Sequence, residues 1–63
     1  MKLDRDFYKM SEVAEMLGLT NHKLWRLRLQ LGFETRTRGD DKRVKWVSAE
    51  TVQRIYDYLN NPQ

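Results

Sequence analysis

Residues 11–20 have the sequence SEVAEMLGLT, which contains the signals of a helix and of the turn that follows it. Together with the residue before it, the stretch has apolar side chains at the i, i+3, i+4, i+7 spacing of a helix that buries one face: Met10, Val13, Ala14 and Leu17. Ser11 is a favoured N-cap residue, and Gly18 readily adopts the left-handed backbone that ends a helix. The stretch therefore predicts a first helix over about Glu12–Leu17 and a turn at Gly18.

A second helix is predicted from the N-cap residue Thr20 to about Leu31, with Gly32 as its end. At about 100° per residue, one narrow side of this helix has Thr20, Leu24, Leu27 and Leu31. The opposite side has His22, Trp25, Arg26 and Leu29. A helix in so small a domain does not normally present a tryptophan and a leucine to solvent, so we regard this second side as a candidate binding surface.

The rest of the chain predicts a hairpin and a third helix. Two short strands are expected at Phe33–Thr37 and Arg43–Val47, joined by a turn at residues 38–41 in which glycine and aspartate tolerate left-handed backbone. Ser48 caps a helix that residues 60–62 end. The apolar face of this helix consists of Val52, Ile55, Tyr56 and Leu59. We therefore expect a flexible N-terminus over residues 1–6, one domain over residues 7–60 and a tail over residues 61–63.

Composition excludes several classes of function. The chain has 63 residues, no cysteine and one histidine, so disulfides, thiolate metal sites and multi-histidine metal centres are excluded. Its carboxylate pairs, Asp4/Asp6 and Asp40/Asp41, lie in a terminus and a turn, and the chain has no glycine-rich phosphate loop. We therefore expect a protein that is not an enzyme and that has no cofactor and no metal.

Two further absences in the sequence bear on location. No apolar run approaches the roughly 18 residues of a membrane span. The first ten residues lack the long apolar stretch of a secretory signal. The sequence therefore predicts a cytoplasmic protein without a membrane partner.

Charge is unevenly distributed along the chain. Residues 23–45 contain eight lysines and arginines against three acidic residues, while the flanking segments are net acidic. A segment with such a basic surplus is typical of proteins that bind a polyanion, although small domains also have charged surfaces that bind nothing.

The two predicted helices meet the requirements of a DNA-binding helix-turn-helix. Such a motif needs a small residue where the second helix crosses the first, here Ala14, and glycine at the turn, here Gly18. Its remaining apolar positions are occupied by Val13, Leu17, Leu19, Leu24 and Leu27. Together with the basic surplus, this agreement favours a DNA-binding motif over a plain helical hairpin.

The order of the predicted elements, with residues 11–20 and the segment Val47–Val52, resembles the winged helix-turn-helix of the MerR superfamily and of phage excisionases. The resemblance covers about Tyr8–Leu59. It implies a mainly α fold with a small β-hairpin, in which a helix-turn-helix is followed by a two-stranded wing and a C-terminal helix. It also implies double-stranded DNA as the partner, with helix 2 in the major groove, the basic wing on the flanking backbone, and a nucleoid-associated location. Many members dimerise after the wing, so self-association on DNA, or through segments absent from this chain, is implied as well.

The chemistry of the side chains assigns a role in DNA binding to each candidate residue. Asn21 and His22 lie at the start of helix 2, where base edges are read, and Arg26 is the best candidate for a guanine or phosphate contact. Lys23 and Arg28 are expected at phosphates, and the hairpin cations on the backbone or in the minor groove. The complete candidate DNA-binding set is Thr20, Asn21, His22, Lys23, Trp25, Arg26, Arg28, Arg36, Arg38, Lys42, Arg43 and Lys45.

Two tryptophans allow more than one interpretation. Trp25 contacts DNA or packs against the hairpin, and we favour packing because an exposed indole is costly in water. Strand alternation turns either Val44 and Trp46 or Val47 inward. The residue before the final helix cap is normally buried in the family, which favours Val47, whereas size favours Trp46 as inward or half-buried.

Three roles fit DNA binding equally: a transcriptional regulator, an excisionase-like architectural factor and a DNA-segregation protein. A rival hypothesis is a protein–protein interaction module that uses the face formed by His22, Trp25 and Leu29 together with the basic hairpin. RNA is a weaker candidate, because the predicted scaffold has no aromatic sheet on which bases could stack.

Overall fold

The computed structural model describes residues 2–61, which form three α-helices and a three-stranded antiparallel sheet. The elements in chain order are β1 (Phe7–Lys9), α1 (Met10–Leu17), α2 (Asn21–Leu31), β2 (Arg36–Arg38), β3 (Asp41–Ser48) and α3 (Ala49–Asn60). The three predicted helices and the predicted hairpin are confirmed. The prediction of only two strands is wrong, so the fold is mixed α and β rather than mainly α with an isolated hairpin.

The strand β1 is the element that sequence reasoning missed. The central strand β3 lies between β1 and β2 in the sheet, with Tyr8 of β1 opposite Val47 of β3. Both side chains are buried in the core, and the amide of Ala49 donates to the carbonyl oxygen of Asp6 at 2.8 Å. A strand of three residues is too short to display a period of two, so its sequence gave no signal.

The start of α1 differs from the prediction. The helix begins at Met10, and its N-cap residue is Lys9 rather than Ser11. The Glu12 carboxylate accepts a hydrogen bond from the Lys9 amide at 3.1 Å. This contact from the third helical residue anchors the helix start, and Ser11 lies exposed within the first turn.

The turn between α1 and α2 forms as predicted. Gly18 has φ = 68° and donates its amide to the Glu15 carbonyl at 3.3 Å, and the amide of Leu19 donates to the Ala14 carbonyl at 2.7 Å. This pair of bonds is a Schellman motif, which satisfies the last carbonyls of α1 and needs a residue with left-handed backbone. Ala14 is buried at the crossing, as a small residue there was expected to be.

The other helix ends also agree with the sequence. The Thr20 hydroxyl accepts from the amide of Lys23 at 3.1 Å, and Gly32 ends α2 with φ = 68°. The Ser48 hydroxyl accepts from the amide of Thr51 at 3.2 Å at the start of α3. Residue 61 caps the end of α3, while Pro62, which was also predicted to end it, lies outside the described residues.

The hairpin strands are shifted from their predicted bounds. Phe33, predicted to begin a strand, is instead a buried core residue in the connection before β2. The strand β3 begins at Asp41, two residues earlier than predicted. Its pairing with β2 is irregular between Arg36, opposite Trp46, and Arg38, opposite Asp41. The Asp41 carboxylate accepts from the amide of Arg43 at 3.1 Å beside this irregularity.

One core holds the elements together. The helices pack on the sheet face that presents Tyr8 and Val47, and α3 contributes Val52 and Ile55 from its predicted apolar face. The core residues are Tyr8, Met10, Val13, Ala14, Leu24, Leu27, Phe33, Val47, Val52 and Ile55. Near the N-terminus, the amides of Asp4 and Arg5 each donate to the Tyr8 hydroxyl at 3.0 Å. The flexibility of residues 1–6 therefore stays a prediction: Met1 lies outside the described residues, and Leu3 already packs against the core.

Candidate nucleic-acid interface

The outward side of α2 is exposed as the sequence predicted. Leu24 and Leu27 are buried, which fixes the rotation of the helix and turns the opposite side away from the core. Leu29 is 77% exposed, and Trp25 is 38% exposed. His22 and Arg26 are exposed as well, so the two most informative polar side chains of α2 lie free on one surface.

A cleft of about 360 Å³ lies between α2 and the hairpin; we call it the helix–hairpin cleft. Its lining residues are Lys9, Met10, Ser11, Asn21, Trp25, Arg43, Val44 and Lys45. Three of these are cations and none is acidic. The fold therefore brings the start of α2 together with two of the predicted hairpin cations, which are about twenty residues away in sequence.

Trp25 occupies an intermediate position on this surface. It lines the helix–hairpin cleft opposite the hairpin, and more than a third of its surface stays open, so its packing against the hairpin stays a prediction. The guanidinium carbon of Arg28 lies 5.8 Å from the centroid of the Trp25 ring. Arg28 is half-buried, and its Nε has no hydrogen-bond partner within residues 2–61. Arg28 thus braces the indole.

The remaining polar groups of α2 border a second hollow of about 480 Å³, which Lys23, Arg26 and His22 line together with Leu29. No acidic side chain of the described chain lines this hollow or the helix–hairpin cleft. Thr20 is exposed, but its hydroxyl already caps α2. The first turn of α2 contains no acidic residue, so the positive end of the helix dipole is not offset there.

Three predicted site residues, Arg36, Arg38 and Lys42, line neither hollow beside α2. Tyr8 and Val47 face the core, so their neighbours along the strands face the opposite side of the sheet. Trp46 is half-buried on this outer side, beside Arg36 and Arg38. Trp46 is half-buried as predicted, but the favoured inward orientation is wrong, because Val47 is the residue that enters the core, as the family resemblance implied. Lys42 is exposed near the hairpin tip.

Sequence reasoning missed two residues that border these surfaces. Lys9 lines the helix–hairpin cleft, and Phe7 is 42% exposed on the outer side of the sheet. Both belong to β1. Their roles become visible only after β1 is paired with β3.

An ion pair between Arg5 and Glu12 stabilises the segment next to the helix–hairpin cleft. Arg5 Nη2 lies 2.7 Å from Glu12 Oε2, in addition to the bond that Glu12 accepts from Lys9. The hydrogen bond from Arg5, reinforced by that from the Lys9 amide, holds the pKa of Glu12 below its ordinary value. The same hydrogen bond raises the pKa of Arg5. The pair joins the segment before β1 to α1 and thereby holds Lys9 at the border of the cleft.

Within residues 2–61, no three histidine, aspartate or glutamate side chains come together in a group that could hold a metal ion. No described helix has both the length and the apolar character needed to cross a membrane.

Comparisons of this chain with protein-family models, curated proteins and solved structures gave no match. The function must therefore be argued from the geometry and charge of the residues themselves.

Proposed function

We propose that this chain binds double-stranded DNA without catalysing a reaction, as a winged helix-turn-helix domain. In this proposal α2 lies in the major groove and the β2–β3 hairpin is the wing. The observation that carries it is the joint exposure of His22, Trp25 and Arg26 on α2, with Trp25 lining the helix–hairpin cleft opposite Arg43 and Lys45.

The geometry of α2 supports groove binding. Eleven residues span about 16 Å at the usual rise, and an exposed helix of this kind fits the major groove. Asn21 and His22 lie in the first turn, where base edges are met in helix-turn-helix proteins. Arg26 follows one turn after His22 on the same side, where a guanidinium can donate to guanine or to phosphate.

The charges around the cleft support backbone contacts. Lys23 borders one side of α2, while Arg43 and Lys45 lie across the cleft from Asn21. Lys9 adds a cation from β1 that the sequence did not suggest. We therefore place Lys9, Lys23, Arg43 and Lys45 at phosphates, and we give Arg28 the role of positioning Trp25. Arg36 and Arg38 lie on the other side of the sheet and are left out of this contact set.

A binding experiment with a charge-matched control tests the proposal. Binding of random-sequence duplex DNA is measured by gel shift or fluorescence anisotropy at about 50 and about 200 mM salt. About four phosphate contacts predict that affinity falls by roughly 100-fold over this interval. Arg26→Ala is expected to weaken binding by about tenfold or more, because it removes a charged contact from the groove.

Arg54→Gln is the control, because it removes one positive charge from α3, outside both hollows that border α2. The Arg54 guanidinium donates to the Leu31 carbonyl at 3.0 Å, so this variant is first checked for an unchanged circular dichroism spectrum. Equal losses of duplex affinity in Arg26→Ala and Arg54→Gln would show that the loss reflects net charge alone. Duplex binding that ignores salt, or no duplex binding at all, would reject the proposal.

A protein-interaction module is the second candidate, and the exposure of Leu29 favours it. Leu29 at 77% and Trp25 at 38% form an apolar area on α2 that phosphate binding does not require. Under this alternative the area meets an apolar patch of a partner, and the neighbouring cations meet acidic residues. Leu29→Ser separates the two candidates. If DNA is the partner, this variant should keep its affinity for duplex DNA within about twofold of wild type. If a protein is the partner, the variant should lose its affinity for that protein.

The biological role within DNA binding is a further proposal. A transcriptional regulator, an excisionase-like architectural factor and a DNA-segregation protein all require the same contact surface. Cooperative binding to long duplexes, through self-association of copies on DNA, would distinguish the architectural factor and the segregation protein from the regulator. This self-association would take place in the cytoplasm, at the nucleoid.

A further inference from the structure

We infer that the outer side of the sheet is a second binding site, for unpaired nucleotides of a single-stranded nucleic acid. The inference rests on an aromatic and basic cluster that shares only Lys9 with the duplex contact set. No residue of α2 contributes to it, so the two proposals can fail separately.

The first argument is the position of the two rings. Phe7 of β1 and Trp46 of β3 lie on adjacent strands and face the same side, since Phe7 is opposite Ser48 and Lys9 is opposite Trp46. This diagonal relation places their backbones about 7–8 Å apart. Phe7 is 42% exposed and Trp46 is half-buried, so both rings are held by the sheet and accessible. Rings presented by adjacent strands are the usual platform on which single-stranded bases stack.

The charged side chains that line the cleft beside the two rings are mainly cations. The two rings line a cleft of about 430 Å³ with Arg5, Arg36 and Arg38, and its one acidic lining residue is Asp6. Net positive charge around two aromatic faces matches a ligand that combines flat bases with phosphates. An acidic peptide would satisfy the cations, but it would leave the two rings without a flat partner.

Both rings also have exposed cations near their faces. The guanidinium carbon of Arg38 lies 5.2 Å from the Trp46 centroid, and Nζ of Lys9 lies 5.5 Å from it. The guanidinium carbon of Arg36 lies 6.0 Å from the Phe7 centroid. These are exposed cations at the outer range of cation–π attraction, so a base can displace them from the ring and retain them as phosphate partners.

The structure also removes the reason for discounting such a ligand. The sequence-based argument against RNA was the absence of an aromatic sheet, and that argument depended on a two-stranded hairpin. With β1 paired to β3, the sheet has three strands and an aromatic outer side. The sugar of the ligand is left to the experiment, which includes both DNA and RNA.

Tryptophan fluorescence tests the inference on the full chain. The sequence has two tryptophans, so Trp25→Phe leaves Trp46 as the only reporter. A short oligothymidylate and an oligouridylate of equal length are titrated, with an abasic deoxyribose-phosphate oligomer and an oligoglutamate as controls. We expect quenching of Trp46 by the base-containing strands, with at least about tenfold weaker binding of the abasic oligomer. Whichever strand binds more tightly identifies the sugar.

Variants locate the site. Phe7→Leu keeps an apolar side chain on β1 and removes the ring, and it is expected to weaken strand binding about tenfold. Trp46→Leu, followed by anisotropy of a labelled strand, should have a similar effect. Lys2→Gln is the charge control, since Lys2 does not line this cleft, and it should change affinity by less than about twofold.

Phe7→Leu keeps the test valid if Trp46→Leu fails to fold. Absence of Trp46 quenching would overturn the inference, and so would equal binding of the abasic oligomer or oligoglutamate. Duplex binding is measured in parallel on the wild-type chain and on Phe7→Leu, which both keep Trp25, and shows whether the two surfaces fail together or separately.

Discussion

At the residue scale, Glu12 has more structural contacts than a half-buried surface position requires. Its carboxylate accepts from the Lys9 amide and from the Arg5 guanidinium, so one side chain fixes the start of α1 and the segment before β1. Lys9 in turn borders the helix–hairpin cleft. Glu12 therefore acts on the proposed DNA surface through the position of β1 rather than by contact.

The lowered pKa of Glu12 leads to a prediction about pH. A carboxyl group whose pKa is lower in the folded state than in the unfolded state stabilises the fold above its unfolded pKa, near its ordinary 4.5. This stabilisation is lost as pH falls through the folded pKa. We therefore expect Glu12→Gln to lower the free energy of unfolding at pH 7, and the difference from wild type to shrink below pH 4.5.

Urea unfolding followed by circular dichroism at pH 7 and at about pH 3 checks this expectation. Glu15→Gln is the matched variant, because it removes the same charge from an exposed position of α1. A deficit of Glu12→Gln that is equal at both pH values, or one that Glu15→Gln reproduces, would show that the hydrogen bonds of Glu12 contribute nothing specific.

The candidate site shows how far single residues could be read from sequence. The exposure of His22, Trp25 and Arg26 followed from helical periodicity. Because the leucines on one side of α2 are buried in the core, the opposite side of the helix must face solvent. Phe7 and Lys9 could not be found in this way. Their surroundings are set by a strand pairing with residues some forty positions later, and no local pattern reports it.

At the element scale, the turn between α1 and α2 depends on backbone conformation at Gly18. A β-carbon there would meet no atom within 4 Å, so space is not what requires glycine. The requirement is φ = 68°, which costs most other residues roughly 1–2 kcal/mol. We predict that Gly18→Ala lowers the free energy of unfolding by about that amount, and that Gly18→Asn costs less because asparagine tolerates left-handed backbone.

Chemical denaturation of the two variants measures this difference. If alanine and asparagine are equally tolerated at Gly18, backbone strain at the turn is not what constrains the crossing of α1 and α2.

The caps of α1 and α2 make a paired prediction. The Thr20 hydroxyl accepts a bond from Lys23, whereas Ser11 lies inside the first turn of α1 and has no capping bond. Thr20→Ala should therefore cost about 1 kcal/mol of stability. Ser11→Ala should cost nothing or stabilise slightly, because alanine has the higher helix propensity. Thermal melts of the two variants give the ranking, and a larger loss for Ser11→Ala would contradict the observed start of α1.

Elements with strong local signals were predictable, and those held by distant pairing were not. The bounds of α2 and the start of α3 followed from their capping residues, which act over three or four positions. The strands β2 and β3 were located only approximately. Their register contains an irregularity between Arg36 and Arg38 that depends on how the hairpin fits the core. The strand β1 was missed for the same reason.

At the scale of the whole molecule, the sheet separates two basic surfaces. Its inner side packs on the helices and leaves Arg43 and Lys45 beside α2, while its outer side presents Phe7, Trp46 and further cations. The hairpin cations of a chain with a net charge of +3 are thus divided between the two sides of the sheet. This separation explains why one continuous basic segment of sequence does not form one continuous surface.

The central claim is that α2 and the nearby part of β3 form one DNA-binding surface. The most direct measurement is a titration of the isotopically labelled chain with duplex DNA at about 50 mM salt, followed by amide chemical shifts. The largest shifts are expected at Lys9, residues 20–29 and residues 43–45, while the exposed side of α3 stays unchanged. Shifts confined to α3, or none at saturating duplex, would contradict it.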